Sequence, residues 1–311
     1  MLKTKTAPVT SYARLFWALA LCVAGLMVCV AKAQEDNTSR RFWPPNFRPA
    51  TPARPTTMAK TSRYKRATPP LRKGASAPDS IRDGVIGVTV WRLRPSNNTD
   101  EARILVKKSG KNWTPERVEA NAKFSEGQAL RLSIEIPRTG YLYVIDREQY
   151  ADGSLSDPYL IFPQNPASDE NKVTAGRVVE IPNQADDQAY FEVKPIRDGS
   201  EARKSPQTAE VLTLIVTTTP LKDLPKRGSD DSPLQLPIAT VEKWEKEWDA
   251  QFERLEMEGG AGAAYTKAEQ AAGANSTKTL TQDDPLPQTI FRVEVKPGKP
   301  LLVKLPLKIE K

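Results

Sequence analysis

Histidine is absent from all 311 residues, and the only two cysteines, Cys22 and Cys29, lie near the N-terminus. Without histidine the chain lacks the commonest general base and the commonest zinc ligand, so Ser-His-Asp, Cys-His and H-E-x-x-H chemistry is excluded. The sequence also contains neither G-x-x-x-x-G-K nor G-x-G-x-x-G, the glycine-rich patterns that hold phosphates. These absences exclude the most frequent hydrolase types and argue against nucleotide hydrolysis.

The N-terminus has the form of a secretory signal peptide. Lys3, Lys5 and Arg14 precede an apolar run over residues 15–30, and Ala31-Lys32-Ala33 matches an A-x-A cleavage site. The run is shorter than the roughly 20 residues that span a bilayer, so we expect cleavage of residues 1–33 rather than retention as an anchor. Cleavage discards both cysteines, and we expect the mature chain in the periplasm, in the cell envelope or outside the cell.

Residues 34–80 are basic and rich in proline. The chain has a formal charge of +8, but the positive excess lies within its first 80 residues, and the remainder is mildly acidic. Such a composition buries too little apolar surface to fold, which predicts a disordered linker with extended, polyproline-like character. The linker is either a solvated spacer or an electrostatic arm that contacts an anionic surface; specific binding of nucleic acid is not expected. The basic residues of this arm include Arg40, Arg41, Arg48, Arg54, Arg63, Lys65, Arg66, Arg72 and Lys73.

From Val85 onward apolar and polar residues alternate with a period of two. Leu130 to Ile136 alternate in this way, Thr139-Gly140 has turn composition, and Tyr141 to Ile145 reads as the second strand of a hairpin. Residues 210–218 are apolar on both faces and predict a central, covered strand. Further strands are predicted at 85–93, 102–106, 118–124, 159–162, 177–181 and 190–193.

These short strands, separated by Pro, Gly, Asn and Asp, predict one all-β domain over residues 81–311. We expect an antiparallel, immunoglobulin-like β-sandwich, with a closed barrel as the alternative. One amphipathic helix is predicted as an insertion at about 237–258, because Val241, Trp244, Trp248, Phe252 and Leu255 recur every three or four positions. A loose loop over 259–287, with a short helical piece near 265–272, then leads to a C-terminal pair of strands.

Two aromatic pairs are the candidate binding residues. Tyr141 and Tyr143 share one face of their predicted strand, and Trp244 and Trp248 lie on one stripe of the predicted helix. Packing inside the domain is the favoured interpretation of both pairs. A platform for sugar or peptide and a groove for a partner remain the functional alternatives.

Acidic residues supply the remaining chemistry. The loop Asp152-Gly153-Ser154-Leu155-Ser156-Asp157 offers Asp152 and Asp157 as weak calcium ligands, although an ordinary turn is favoured. A carboxylate-based hydrolase would need two facing acids, one with a raised pKa. Asp146 and Glu148 are available beside this loop, where we expect them to be solvated. No catalytic residue and no cofactor are predicted.

Several segments between residues 115 and 220 share a pattern with a known family. They are Phe124 to Leu132, Gly140 to Ile145, Tyr159 to Gln164, Ala175-Gly176-Arg177, Ile181-Pro182 and Tyr190-Phe191, and in this order they resemble the bacterial domain-of-unknown-function family 4384. The resemblance implies a β-sandwich domain of an exported or envelope-associated protein, sometimes attached to enzymatic domains. It implies no activity and no site residues. The predicted helix and the C-terminal strands are additions to the usual arrangement.

Together these observations predict an exported, non-enzymatic binding or scaffolding module of the bacterial envelope. Its expected partner is a protein or glycan that meets a sheet edge or a loop face. A structural envelope protein, tethered through its arm to an anionic polymer, is the alternative.

Overall fold

The computed structural model describes residues 47–49, 84–106, 110–136, 138–186, 189–193, 205–222, 224–226, 233–274, 278–281, 283–294 and 298–310. All of them belong to the second of two units into which the chain divides, Trp43–Lys311. The described residues are mostly strands, which we number in chain order, and they confirm the predicted all-β fold class.

Nine strands form the first sheet, sheet A, and β2 (Gly84–Pro95) is its central strand. Along one side β2 pairs with β6 (Ala129–Glu135); along the other, its first half pairs with β15 (Thr289–Val293) and its second half with β4 (Lys111–Val118). All pairings of sheet A are antiparallel. The strands are β1 (Phe47–Pro49), β2 (Gly84–Pro95), β3 (Ile104–Val106), β4 (Lys111–Val118), β6 (Ala129–Glu135), β10 (Val178–Ile181), β11 (Phe191–Glu192), β14 (Phe252–Met257) and β15 (Thr289–Val293).

Seven strands form the second sheet, sheet B, in which the predicted central strand β12 (Gln207–Thr217) lies between β7 (Gly140–Tyr150) and β16 (Leu301–Ile309). The single parallel pairing among the described strands joins the end of β16 to β5 (Lys123–Phe124). The strands of sheet B are β5 (Lys123–Phe124), β7 (Gly140–Tyr150), β8 (Tyr159–Phe162), β9 (Lys172–Val173), β12 (Gln207–Thr217), β13 (Leu234–Gln235) and β16 (Leu301–Ile309).

The hydrophobic core lies between the two sheets, as expected for a sandwich. Alternate residues of each strand point inward, so that Val88 and Leu132 of sheet A share one cluster with Val144, Leu214 and Val303 of sheet B. The residues between them point to the outer faces. Period-two patterning therefore does locate the core correctly.

A helix covers the outer face of each sheet. Helix α1 (Ile238–Trp248) packs on sheet B through Val241 and Trp244. Helix α2 (Lys267–Ala274) lies close to β10 of sheet A, within the segment that was predicted as a loose loop with a helical piece. Within the described part of the chain, no helix is both long enough and apolar enough to cross a membrane.

The predicted hairpin between residues 130 and 145 is wrong. Strand β6 belongs to sheet A and β7 to sheet B, so the short connection between them crosses from one sheet to the other. Two amphipathic strands joined by a short connection can form a hairpin within one sheet or can lie in two facing sheets. Period-two patterning is the same in both arrangements and does not distinguish them. Gly140 begins β7 where a Cβ would overlap the carbonyl of Thr217, so this close strand approach requires a glycine.

The helix ends ten residues earlier than its spacing predicts. Phe252 and Leu255 continue the apolar stripe in sequence, but they lie on strand β14, where Leu255 is buried and Phe252 is 44% exposed. Strand β14 is stabilised by hydrogen bonds to β15, which lies almost 40 residues later in the sequence. The local spacing of apolar residues contains no information about such a distant partner.

A further strand was predicted at 118–124. The structure has a strand at Lys111–Val118 instead, although this strand contains Pro115.

Most of the N-terminal region lies outside the described residues. The predicted signal peptide, residues 1–33, and the linker, residues 34–80, are both outside them, apart from Phe47–Pro49. These three residues form β1, which pairs antiparallel with β14 at the edge of sheet A.

Candidate functional site

The four predicted aromatic residues come together on the outer face of sheet B. Tyr143 (2% exposed) and Trp244 (9% exposed) are buried, while Tyr141 and Trp248 are partly buried around them. The rings of Trp244 and Trp248 stack with their centroids 5.6 Å apart, and the hydroxyl of Tyr143 accepts a hydrogen bond of 2.9 Å from the amide of Leu221. These contacts are those of a helix packed on a sheet, and they leave Trp248 and Tyr141 at the margin of the interface.

The two candidate calcium ligands lie in the connection between β7 and β8. Asp152 Oδ1 accepts hydrogen bonds from the amide (2.9 Å) and the hydroxyl (2.7 Å) of Ser154, and Asp157 Oδ2 accepts one from Gln235 (2.8 Å). Among the described residues there is no group of three or more acidic side chains arranged to hold a metal ion. The calcium site stays a prediction.

The outer face of sheet A carries a buried ion pair that the sequence analysis missed. Arg131 of β6 is fully buried and donates through Nη2 to Glu180 of β10 (2.7 Å) and to the carbonyl of Pro182 (3.0 Å). Glu180 also accepts from Gln184 (2.6 Å) and from the hydroxyl of Tyr265. Burial, together with the charge of Glu180, raises the pKa of Tyr265, which keeps this phenol a neutral donor.

A second ion pair joins the same face to helix α2. Arg117 of β4 donates through Nε (3.0 Å) and Nη2 to Oε1 of Glu269, and its guanidinium lies 5.2 Å from the ring centre of Trp91. Oε2 of Glu269 accepts from the amide of Thr266 (2.7 Å), while the amide of Glu269 donates to the Thr266 hydroxyl (3.2 Å). This reciprocal pair is a capping box, so one carboxylate both caps α2 and attaches it to sheet A.

Some donors of this network stay without a protein partner. Arg117 Nη1 and Arg131 Nε and Nη1 are buried and unpaired. A cavity of about 30 Å³ lies against Arg117, lined also by Thr89, Trp91, Ser133 and Glu269. The lining is mixed, since Val178, Ala272 and Pro287 add apolar surface to these polar groups. A cavity of this size holds about two water molecules, which suits water bound to Arg117.

Acidic side chains also lie on the inner face of sheet B, beyond the apolar core residues. On β7, the side chains of Asp146 and Glu148 lie on the same face as the core residue Val144. On β12, the side chain of Glu210 lies on the same face as the core residue Leu212. The expectation that Asp146 and Glu148 are solvated loop residues is wrong, because β7 extends to Tyr150 and buries Glu148.

Asp146 and Glu210 are adjacent carboxyl groups that are hydrogen-bonded to each other. Asp146 Oδ1 and Glu210 Oε2 are buried and receive no hydrogen bond from an amide, hydroxyl or guanidinium group, while Gln207 donates to Glu210 Oε1 (2.7 Å). Burial raises the pKa of both groups, and the nearby Glu148 charge raises that of Asp146 further. The pair therefore shares protons over a pH range in which ordinary carboxyl groups are ionised.

The β14 edge of sheet A accepts an extended segment of the chain. Phe47, Arg48 and Pro49 are aligned with Met257, Glu256 and Leu255. The amide of Met257 donates to the carbonyl of Gln288 (2.8 Å), toward β15. Since successive amides of a strand point to opposite sides, those of Arg254 and Glu256 point away from β15, toward β1.

No local signal marks the polar face of sheet A. Arg131, between Leu130 and Leu132, has the spacing of an ordinary solvent-facing strand residue. It is buried only because a segment about 130 residues later folds over it. The sequence Thr266-Lys267-Ala268-Glu269 does contain the capping-box pattern and locates the start of α2.

Comparisons with known proteins agree with the resemblance seen in the sequence. No curated protein and no solved structure matches the chain. Residues 123–220, which comprise strands β5 to β12, match the model of a family described as a domain of unknown function, DUF4384.

Proposed function

We propose that this protein is an exported, non-enzymatic module of the bacterial envelope that binds a protein partner at a sheet edge. One observation carries the proposal: β14 already pairs with an extended segment, β1, of the basic arm. An edge strand offers unpaired amides and carbonyls to an incoming chain, and adding a strand is a common way to bind peptides.

The covered outer faces support this choice of surface. Helix α1 occupies the outer face of sheet B, and α2 is attached to that of sheet A by the buried ion pair between Glu269 and Arg117. Both broad faces are thus used for packing within the chain. The sheet edges are the surfaces left for main-chain recognition.

The arrangement of the polar residues supports a non-enzymatic role. The cavity beside Arg117 is small, and Asp146 and Glu210 lie on the inner face of sheet B, against the core. The arm, apart from β1, is outside the described residues. Its contact with an anionic polymer therefore stays the alternative prediction.

Site-specific photo-crosslinking in cells tests the proposal. A photoreactive residue replaces Phe252, exposed on β14, and in a matched control it replaces Lys246, exposed on α1. We expect one defined protein adduct from position 252 and none from position 246. Adducts at position 246 alone, or none at either position in exported protein, would contradict the proposal. Export itself is checked by fractionation and by N-terminal sequencing at residue 34.

A further inference from the structure

We propose that the cavity beside Arg117 binds the acetamido group of an N-acetylated amino sugar. The inference goes beyond the proposed sheet-edge function and shares with it only the location in the bacterial envelope, where glycans carry such sugars. It starts from one observation: Arg117 is 4% exposed, and its Nη1 is buried without a partner at the cavity. A buried N–H group of this kind requires an acceptor oxygen.

The cavity runs along three neighbouring rows of side chains on the outer face of sheet A. The rows are, in order along the strands, Arg117 with Trp91, Thr89 with Ser133, and Glu135 with Val178. Side chains of the first row are buried, whereas those of the third row are partly exposed. The cavity therefore has its closed end at Arg117 and opens to solvent at the third row.

Two hydroxyl groups add donors to Arg117 Nη1. The Thr89 hydroxyl accepts from the amide of Gln288 (3.0 Å), and the Ser133 hydroxyl accepts from the indole of Trp91 (2.7 Å). Because each oxygen already accepts a hydrogen bond, each hydroxyl retains its own hydrogen as a donor. A ligand that enters the cavity meets donors, and a carbonyl oxygen, with its two lone pairs, accepts from more than one of them.

The charges of the lining favour a neutral ligand over an anion. Arg117 is the single basic residue among the described residues that line the cavity, and Glu269 already pairs with it. Glu135 adds a second carboxyl group to the lining. An anion would therefore find no uncompensated positive charge and would share the cavity with two carboxyl groups. A neutral carbonyl group accepts the same hydrogen bonds without this repulsion.

The apolar part of the lining fits the methyl group of an acetamido substituent. Ala272 and Pro287 are buried beside the polar groups, and Val178 lies at the open end. The volume of about 30 Å³ corresponds to about two water molecules, and an acetyl group, with three non-hydrogen atoms, is of similar size. The sugar ring then remains at the rim, where Pro285 and Leu286 are partly exposed.

The probe is N-acetylglucosamine, and the reporter is the indole N–H of Trp91, since it donates to Ser133 at the cavity. Two-dimensional ¹H–¹⁵N NMR spectra of the full mature chain follow this resonance, which is assigned by its loss in Trp91→Phe. We expect it to shift with increasing concentration of N-acetylglucosamine. Glucosamine, which lacks the acetyl group, should bind at least about tenfold more weakly, because it offers Arg117 no carbonyl acceptor.

Two substitutions at one position test the cavity itself. Val178→Phe fills the open end without changing a residue of either ion pair, and it should weaken binding at least about tenfold. Val178→Ala is the matched control, because it leaves the cavity open and should retain binding. Arg117→Lys keeps a positive charge beside Glu269 but removes Nη1, so it should weaken binding as Val178→Phe does. Circular dichroism confirms that each variant is folded.

An equal shift with glucosamine, or undiminished binding to a folded Val178→Phe variant, overturns the site. If acetamide alone binds as tightly as N-acetylglucosamine, the cavity recognises no sugar, and the assignment to a glycan is overturned. Absence of a shift at every concentration of the sugar overturns the whole inference. Such a failure leaves the crosslinking test unaffected, because that test probes a different surface, the β14 edge.

Discussion

A helix covers each outer face of the sandwich, but apolar packing attaches one helix and buried charged groups attach the other. On sheet B, α1 packs through Trp244 and Val241 onto Tyr143, an apolar interface. On sheet A, α2 is attached through Glu269 to Arg117, beside the buried pair of Arg131 and Glu180. An apolar interface tolerates changes that conserve volume, whereas a buried charge depends on each of its partners.

On each face, some of the strand residues belong to the segment that matches the family model, residues 123–220, whereas the covering helix does not. Tyr143, Arg131 and Glu180 lie within residues 123–220, but both helices lie outside them. Gly273 of α2 shows how closely the added segment fits, because a Cβ at this position would overlap the Glu180 carboxylate. The matched strands alone would leave Arg131 and Tyr143 exposed on their outer faces.

The largest effect is expected on the polar face. Glu180→Gln keeps the shape of the side chain but leaves Arg131 buried without its counter-charge, which should cost about 3–5 kcal/mol of unfolding free energy. Urea denaturation of the mature chain measures this loss. Replacing both partners by apolar residues, Arg131→Met with Glu180→Leu, should cost less than the single substitution. A loss below about 1 kcal/mol for Glu180→Gln would mean that the folded chain does not depend on this pair.

On the apolar face, Trp244→Ala should lower the unfolding free energy by about 3 kcal/mol, because a large buried side chain is lost. Trp248→Ala is the matched control, since Trp248 is only partly buried, and about 1 kcal/mol is expected. Trp244→Phe should recover more than half of the loss, as packing requires volume more than a specific group. If Trp244→Phe is as damaging as Trp244→Ala, the two faces do not differ in their tolerance of substitution.

A third prediction extends the comparison to the inner face, where Asp146 and Glu210 are buried beside each other. Folding raises the pKa of Asp146 and Glu210, so the folded chain binds more protons than the unfolded chain, and stability falls as the pH rises above about 4. Glu210→Gln should therefore stabilise the protein by about 2 kcal/mol at pH 8 and change little at pH 4. Thermal denaturation from pH 4 to 9 measures this.

The exposed Glu247 provides the control, because Glu247→Gln should leave the pH dependence as it is. Native stability that rises from pH 5 to pH 9 would contradict the raised pKa values. Loss of a defined enzymatic turnover in a stable Glu210→Gln variant would instead indicate carboxylate catalysis.

The sequence predicted most of the strands and the central position of β12, because one-sided burial imposes a period of two that short windows record. It also identified the pairs Tyr141 and Tyr143, and Trp244 and Trp248, and favoured packing for each, but it predicted neither that the pairs meet under α1 nor that Phe252 and Leu255 belong to β14. In each of these elements, the spacing of apolar residues within a short window is enough to identify the side that is buried.

What the sequence did not reveal depends on distant segments. Arg131 and Tyr265 are 134 positions apart, and both donate to Glu180 because the segment that contains Tyr265 and α2 folds over sheet A. Asp146 looks like a loop residue until the length of β7 is known, and its pKa depends on Glu210, which comes from another strand. The crossing from β6 to β7 was missed because the same patterning suits a hairpin.

The smallest effect should come from an ion pair on the apolar face. Lys304 of β16 donates to Glu245 of α1 at 2.7 Å, a distance equal to that between Arg131 and Glu180, but the Lys304 side chain is 43% exposed. Water screens such a pair and solvates Lys304 when it is left alone, so Glu245→Gln should cost about 0.5 kcal/mol. The loss should shrink further in 1 M NaCl, whereas that of Glu180→Gln should not, because buried charges are little screened. If Glu245→Gln costs more than about 2 kcal/mol, this ion pair and not aromatic packing attaches α1, and the contrast between the two faces disappears.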